Sequence, residues 1–357
     1  MILDFLQLLG FFIGGVLFSM VCNIVLLRFS QSLGIRNKND VVIRWSNESK
    51  PSLGGVSFFI VFLFSSILYS IFYFQENIFH DIKFVGLIIS GSMAFAMGLA
   101  DDAYNTKPFG KLLVQILCGL TLVLTHVTID LFHQPILDGL ITLLWVVGLM
   151  NALNMLDNMD GITGTTVLFI LITCIIAYWI MCGFVIDIWS LTLIAMIGGL
   201  IGFLRYNINP SKLFMGDAGS QFIGLFVAFF SIMFLWNTGS QTENASWTGF
   251  VITLIAFTAA ASDSLTVVIN RLKRGQSPMI GGKDHTTHHL VYAGFTDKKV
   301  WYIFSLIGLM STILSLSMIE FLKHNAILPI AFSIVYFLVV FILLYKNTIK
   351  YKQPEQK

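Results

Sequence analysis

The sequence predicts an all-α, polytopic membrane protein. Hydrophobic residues make up 56% of its 357 residues and charged residues only 11%, whereas a soluble domain carries roughly a quarter charged residues. The apolar residues are gathered into runs of about twenty, which is the length of helix that crosses a bilayer core. We therefore expect about eleven transmembrane helices within a single domain that covers residues 1–357.

The eleven runs are separated by short polar segments. The first run has Asp4 where a signal peptide has basic residues, and no small-residue cleavage site follows it, so we interpret it as an uncleaved span. The runs cover residues 3–29, 54–74, 84–100, 111–129, 136–151, 164–182, 185–204, 222–236, 248–269, 301–319 and 326–345.

Basic residues are distributed unequally between the two sides of this arrangement. One side holds 19 of the 21 Lys and Arg residues. The positive-inside rule then predicts an outside N-terminus and a cytoplasmic C-terminus. The predicted cytoplasmic loops cover about 30–53, 101–110, 152–163, 205–221 and 270–300, and all the polar clusters of the sequence fall in them.

A polar stretch, residues 151–164, interrupts two of the apolar runs with the sequence NALNMLDNMDGITG. Asn151, Asn154, Asp157 and Asp160 recur at every third position, so a helix turns each side chain by about 60° from the last. Neighbours in this series can share a ligand, whereas the first and last are too far apart. A solvated loop with helix caps is one interpretation, but acids without a basic residue to pair with favour a bound cation.

Two further acidic motifs follow apolar runs. Asp101 and Asp102 are adjacent carboxylates at a membrane boundary, which implies a cation, a basic partner or a raised pKa, or else a helix cap. Residues 216–220 read GDAGS before an apolar helix that Asp217 or Ser220 is placed to cap. Asp217 and the glycine backbone together suit a magnesium–diphosphate complex, because Mg²⁺ prefers oxygen ligands and substrate phosphate.

The basic and histidine residues of the cytoplasmic loops complete the candidate set. Lys50 precedes the pair Gly54 and Gly55, and it could reach a phosphate, although the glycines also permit tight helix packing. A long loop carries Arg271 and a histidine-rich segment. On a helix, His285, His288 and His289 would share one face, as zinc ligands might. Because the neighbouring motifs are acidic and contain no cysteine, we favour a role for these histidines as donors to a diphosphate over a zinc site.

Several functional classes are disfavoured. No basic or aromatic cluster resembles a nucleic-acid module, so we expect no nucleic-acid partner. The four cysteines lie in apolar runs without CxxC spacing, which argues against a disulfide framework or a thiolate metal site. A secondary transporter would place its acids near the middle of the bilayer, whereas these lie at one face. Asp263, inside the ninth run, is a further buried acid without an evident partner.

Taken as a set, these motifs resemble the polyprenyl-phosphate N-acetylhexosamine-1-phosphate transferases, glycosyltransferase family 4. The resemblance covers residues 10–345 and is closer to the WecA-like undecaprenyl-phosphate N-acetylglucosaminyl 1-phosphate transferases than to the MraY-like phospho-MurNAc-pentapeptide transferases. Three positions depart from the family pattern: Asn105 replaces a third acid, Ser46 replaces a histidine, and the family's His-x-His-His is altered. The matching motifs are Gly54-Gly55, Asp101-Asp102, Asn151-x-x-Asn154-x-x-Asp157-x-x-Asp160-Gly161, Gly216-Asp217-Ala-Gly219-Ser220 and the histidine-rich segment.

The resemblance implies an enzyme in the bacterial inner (plasma) membrane. It would transfer N-acetylhexosamine-1-phosphate, with GlcNAc-1-phosphate expected, from a UDP-sugar to undecaprenyl phosphate and release UMP. It further implies Mg²⁺, with Mn²⁺ as a substitute, held by Asp217 with Asn154 or Asp157, while Asp101 or Asp102 would hold or deprotonate the lipid phosphate. A homodimer is left open. The implied substrate-binding residues are Lys50, Asn151, Asn154, Asp157, Asp160, Arg271, His285, His288 and His289.

Overall fold

The structure, a computed structural model, describes residues 2–29, 50–73, 76–238, 247–277, 282–322 and 328–352. Within these residues the regular secondary structure is helical and contains no strand. The predicted all-α fold class is therefore confirmed. Ser46, one of the departures from the family pattern, lies outside the described residues.

Thirteen α-helices follow one another along the described chain. A π-helical turn, Ile232–Trp236, continues α8, and a short 3-10 turn, Ile78–His80, precedes α3. The helices are α1 (Ile2–Phe29), α2 (Val56–Phe72), α3 (Ile82–Tyr104), α4 (Pro108–Leu124), α5 (Pro135–Leu156), α6 (Ile162–Cys182), α7 (Ile188–Asn207), α8 (Gly216–Ser231), α9 (Trp247–Ala256), α10 (Thr258–Lys273), α11 (Thr286–Tyr292), α12 (Asp297–Leu322) and α13 (Leu328–Lys350).

Eight of the described helices are long and apolar enough to cross a membrane. The bent pair α9 and α10 counts as a ninth span when taken together, and α2 and α4 are apolar helices of 17 residues each. Each of the eleven predicted runs coincides with one of these elements. The protein is a multi-pass membrane protein.

The ninth run is not the continuous helix that its apolar sequence predicts. The chain bends by 85° between α9 and α10, at Phe257, whose φ of −97° and ψ of 16° are not helical. The Thr258 hydroxyl donates to the Ile255 carbonyl at 2.7 Å, and such side-chain bonds to the backbone favour a break. The bend sends α10, with Asp263, in a new direction.

The most buried helix of the bundle is α8, which packs against α3, α5 and α2. Its phenylalanines, among them Phe222, Phe226 and Phe230, are fully buried, as expected of a helix that is apolar all round. A Cβ added at Gly224 would lie 2.9 Å from the Cα of Met150, so α5 approaches closely. Packing thus fixes the first turn of α8, which carries Asp217.

Candidate active site

Glycine contacts fix the segment that leads into α8. Gly216 has a φ of +78°, which L side chains rarely adopt. A Cβ on Gly55 would lie 2.0 Å from the Cα of Gly219, so the two backbones touch. The amide of Gly54 also donates to the Phe214 carbonyl at 3.0 Å. This tight packing is sufficient to explain why residues 54 and 55 are glycines, and no contact with a phosphate is needed to explain them.

Asp102 caps the N-terminus of α8 from a neighbouring helix. Its carboxylate accepts the backbone amides of Asp217 at 3.0 Å and Ala218 at 2.9 Å. The sequence-based expectation that Asp217 or Ser220 caps this helix is therefore wrong, because the α8 N-cap residue makes no side-chain cap bond. Asp102 can do so because α3 approaches closely: a Cβ at Gly98 would lie 2.3 Å from the Asp217 carbonyl.

Asp101 has a basic partner, which is one of the alternatives that the adjacent acids imply, but the sequence did not identify it as Lys111. Its buried carboxylate forms an ion pair with Lys111 and accepts from the Thr106 amide at 2.8 Å and the Thr106 hydroxyl at 2.7 Å. Lys111 Nζ lies 4.0 Å from Asp217 Oδ2, so one ammonium group serves two acids. The sequence feature that could have indicated this ion pair is the position of Lys111, one turn inside a mostly apolar helix.

Two of the three asparagines in the polar stretch 151–164, called the central stretch below, lie on the last turns of α5. The Asn154 amide donates to Asp217 Oδ1 at 2.6 Å and to the Ser220 hydroxyl at 2.8 Å. Asn151 instead donates to Gln115 Oε1 at 2.9 Å. The structure therefore brings Asn154 directly to Asp217 and places Asn151 one turn away, against α4.

The two acids of the central stretch lie beyond the end of α5. Asp157 is the residue at which the helix ends, and it is half-buried. Asp160 lies in the following turn, where Oδ2 accepts from the Ser211 amide at 3.0 Å. Lys50 Nζ reaches the hydroxyl of Ser211 at 3.5 Å. Lys50 and Asp160 thus both contact Ser211, whereas Asn154 contacts Asp217. The central stretch therefore contributes side chains to two separate groups of polar residues.

Asp263, for which the sequence offered no partner, binds the start of the histidine-rich segment. It is fully buried, and its Oδ2 lies 2.8 Å from His285 Nδ1. Its Oδ1 accepts from the Thr286 amide at 2.8 Å and the Thr286 hydroxyl at 2.6 Å. A buried charge requires such partners, and the residues that lead into α11 provide them.

Arg271 is held in a buried ion pair. Its guanidinium makes two bonds to the Asp284 carboxylate, at 3.0 Å and 2.7 Å, and Arg274 pairs with the same group. Burial acts to raise the pKa of Asp284, but the hydrogen bonds and charges of the two arginines outweigh it and lower the pKa to about 2. A substrate diphosphate would therefore have to share Arg271 with this carboxylate.

The two histidines of α11 are both buried. His288 is 2% exposed, and burial, followed by the nearby charge of His285, lowers its pKa to about 3. His289 Nδ1 lies 2.5 Å from the Tyr351 carbonyl, and burial lowers its pKa as well. In the part of the chain that the structure describes, no three His, Cys, Asp or Glu side chains could hold a metal together.

Acid should destabilise the fold through His288. Because the folded pKa lies below the unfolded value of 6.5, the unfolded state binds more protons, and stability falls as the pH drops from about 6.5 towards 3. At pH 5 we expect a loss on the order of 2 kcal/mol relative to pH 7, from about 1.4 kcal/mol per pKa unit. Thermal unfolding of wild type and His288→Gln at both pH values measures it.

A matched control for this experiment is His133→Gln, which removes an exposed histidine. His133→Gln should keep the acid sensitivity of wild type, whereas His288→Gln should lose most of it. Equal losses of stability on acidification in wild type and His288→Gln would show that His288 is not held neutral by its burial.

The histidine-rich segment is attached to the central stretch. The Thr287 hydroxyl donates to Asn158 Oδ1 at 2.6 Å. Asn158 directly follows Asp157, so the segment lies beside the end of α5.

The candidate site therefore has two parts. The acidic cluster consists of Asp101, Asp102, Lys111, Asn154 and Asp217; the histidine part consists of Asp263, His285, His288 and their neighbours.

Carboxylates, a lysine and amides lie together in a multi-pass helical bundle, and this arrangement is suited to binding charged groups. Comparison with known proteins indicates the class of protein. Residues 84–235 match the family model described as glycosyl transferase family 4. This region runs from α3 to the π-helical turn and contains the whole acidic cluster. The chain is a phosphosugar transferase, and the resemblance to this family is confirmed.

Two kinds of relative have similar coverage. The chain is 26% identical over 300 residues to the probable undecaprenyl-phosphate N-acetylglucosaminyl 1-phosphate transferase of Bacillus subtilis, covering 82% of this chain and 78% of that protein. It is 28% identical over 319 residues to the phospho-N-acetylmuramoyl-pentapeptide-transferase of Streptococcus pneumoniae, covering 82% and 91%. The corresponding enzyme of Streptococcus uberis is 28% identical over 299 residues, covering 74% and 82%.

Proposed function

We propose that the protein transfers GlcNAc-1-phosphate from UDP-GlcNAc to undecaprenyl phosphate, releasing UMP and starting a lipid-linked glycan of the cell envelope. The observation that carries this proposal is the acidic cluster, in which Asp217 is fixed between Lys111 and Asn154. The name of the Bacillus subtilis relative supports the sugar and the lipid. The names of the streptococcal relatives support the second candidate, transfer of phospho-MurNAc-pentapeptide.

The donor set of the acidic cluster fits Mg²⁺. This ion prefers oxygen ligands, and it commonly takes one or two carboxylates together with substrate phosphates rather than a cage of protein groups. The Asp217 side chain is 31% exposed, whereas that of Asp101 is 3% exposed and paired with Lys111. Asp217, with Asn154 or Asp157, would hold the ion, and Mn²⁺ would suit the same oxygen ligands. When bound, the metal would neutralise charge on the diphosphate.

The lipid phosphate needs little help from a base. A phosphate monoester has a second pKa of about 6, so it is mostly a dianion at neutral pH. We infer that its oxygen attacks the sugar-bearing phosphorus directly while the bond to the UMP oxygen breaks. Lys111 contributes positive charge beside Asp101 and Asp217, and such transfers depend mainly on alignment and charge neutralisation.

The remaining predicted residues are proposed to bind the nucleotide sugar. Asp263 would orient the His285 ring through its bond to Nδ1, which leaves Nε2 for an anionic ligand. Lys50 and Asp160 meet at Ser211 and would act as one polar group near the end of α5. The substrate-binding role that the family resemblance implies is also proposed for Arg271, His288, His289, Asn151 and Asp157.

Release of UMP from a panel of UDP-sugars tests the proposal. With purified protein, undecaprenyl phosphate and Mg²⁺, we expect rapid release from UDP-GlcNAc and slow release from UDP-GalNAc and UDP-MurNAc-pentapeptide. Preference for UDP-MurNAc-pentapeptide would establish the second candidate. Lack of release from all three would contradict both.

We propose that the site faces the cytoplasm, as the distribution of basic residues predicts. In a variant without native cysteines, Tyr104→Cys and Phe132→Cys would place exposed thiols at opposite ends of helices. A membrane-impermeant maleimide should label Phe132→Cys in intact cells and Tyr104→Cys only after permeabilisation. The reverse pattern would invert the orientation and remove access to a cytosolic UDP-sugar.

A further inference from the structure

A cavity of about 520 Å³ lies between α1, α6, α7 and α12, and its size is that of a ligand pocket. Its walls are almost wholly apolar and include Met20, Leu168, Phe169 and Ile201. One charged side chain, Arg205, also lines it. We call this cavity the Arg205 groove. It shares no lining residue with the acidic cluster, which is built on α3, α4, α5 and α8.

Arg205 lies in the last turn of α7 and is exposed. Among the described residues, no ion pair or hydrogen bond engages its side chain. Its favourable interaction with the C-terminal dipole of α7 explains a basic residue at this position, but not why it lines an apolar cavity. A cation at the mouth of an apolar groove suits a ligand with an anionic head and an apolar tail.

A second basic residue stands at the same end of the groove. Lys298, Trp301 and Ser305 are spaced i, i+3 and i+7 in α12, so they share one helical face. Trp301 and Ser305 line the groove, and Lys298 therefore lies one turn beyond it, towards the helix N-terminus. The Lys298 side chain is exposed.

Trp301 places this end of the groove at the level of lipid headgroups. Its indole Nε1 donates to the Thr165 hydroxyl at 2.9 Å, and its ring forms part of the apolar wall. Tryptophan with one polar and one apolar edge is enriched at the membrane–water interface. Basic side chains are likewise attracted to the negative surface of the cytoplasmic leaflet.

We propose that the Arg205 groove binds one anionic bilayer phospholipid, with an acyl chain along its apolar walls and the headgroup phosphate at Arg205, beside Lys298. The charge of the groove mouth is complementary to this ligand, and no acid lines the cavity. A polyprenyl phosphate held here would keep its phosphate on helices that contribute nothing to the acidic cluster. A bilayer lipid is therefore the occupant that the geometry favours.

The bound lipid would brace the central stretch. A Cβ at Gly161 would lie 3.1 Å from the Trp301 ring and 3.4 Å from the Cα of Ile208, so the turn that carries Asp160 rests on two groove residues. Filling the groove would therefore hold this turn against α12. This inference concerns binding alone and does not depend on the proposed reaction.

Native mass spectrometry of the full chain in phosphatidylcholine nanodiscs, titrated with phosphatidylglycerol, tests the proposal. We expect wild type to retain one phosphatidylglycerol per chain. Arg205→Gln should weaken its retention about fivefold, because one basic residue near an anionic surface contributes on the order of 1 kcal/mol. Lys346→Gln, which removes an exposed lysine from α13, is the matched control and should bind like wild type.

A second variant tests the apolar part of the groove. Ser305→Trp should fill the cavity and abolish retention of the lipid while leaving Arg205 in place. Unchanged phosphatidylglycerol binding in Arg205→Gln would overturn the proposal, whether or not Ser305→Trp folds. Competition by undecaprenyl phosphate that depends on Arg205 would reassign the groove to the lipid substrate. A dimer that dissociates on Ser305→Trp would reassign it to a second copy of the chain.

Discussion

Replacing Asp217 by Asn is expected to reduce UMP release by roughly 10²- to 10³-fold, the usual cost of removing one preorganised electrostatic group from an active site. Asp217 is the more exposed of the two acids that lie near Lys111. The Asn154 amide donates to Asp217 Oδ1 at 2.6 Å. Asparagine has the same shape, so the first turn of α8 should persist. Initial rates and thermal unfolding, measured on the same preparation, separate activity from folding.

The control for this substitution is Asp130→Asn, which removes an exposed acid whose side chain contacts His133. It should leave both the rate and the unfolding temperature near wild type. A chelator in excess should abolish wild-type activity, and added Mg²⁺ or Mn²⁺ should restore it. Full activity in the chelator, or an active Asp217→Asn variant, would contradict a metal at this site.

The sequence correctly predicted an all-helical, multi-pass architecture, because each apolar run is a local signal, whereas the number of eleven spans stays a prediction. The exception was the ninth run. Its residues are apolar enough to suggest one helix, but Phe257 leaves the helical conformation and the Thr258 hydroxyl satisfies a freed carbonyl. Composition averages over a run, so it conceals a break that depends on one residue's backbone.

The partners of the candidate residues could not be predicted from spacing alone. Asp102 bonds to amides 115 and 116 positions further along the chain, and Asp263 in α10 bonds to His285, 22 positions further along and beyond the end of that helix. These pairs arise from the way that whole helices pack. The sequence correctly indicated that adjacent acids need a cation, a basic partner or a cap, but only the packing shows that Lys111 and the α8 amides supply two of these.

The different partners of Asp101 and Asp102 suggest different consequences when each is changed. Asn and Asp are about equally good caps, whereas a change to Ala costs about 0.5–2 kcal/mol. If Asp102 acts mainly as the cap of α8, Asp102→Asn should keep wild-type stability and part of the activity. Asp102→Ala should be less stable than wild type by that amount and less active than Asp102→Asn. Unfolding temperatures and rates of the two variants measure this difference.

Exchange of labelled UMP into UDP-sugar, without any lipid, decides whether either acid forms a covalent intermediate. Direct attack by the lipid phosphate predicts no exchange above background, because sugar phosphate can return to UMP only from the lipid product. Asp101, which pairs with Lys111 and accepts from Thr106, would then hold Lys111 in place beside the lipid phosphate, and Asp101→Asn should slow turnover without abolishing it. A covalent aspartyl phosphosugar would instead give exchange in wild type, and the variant of the nucleophile would be inactive at every pH.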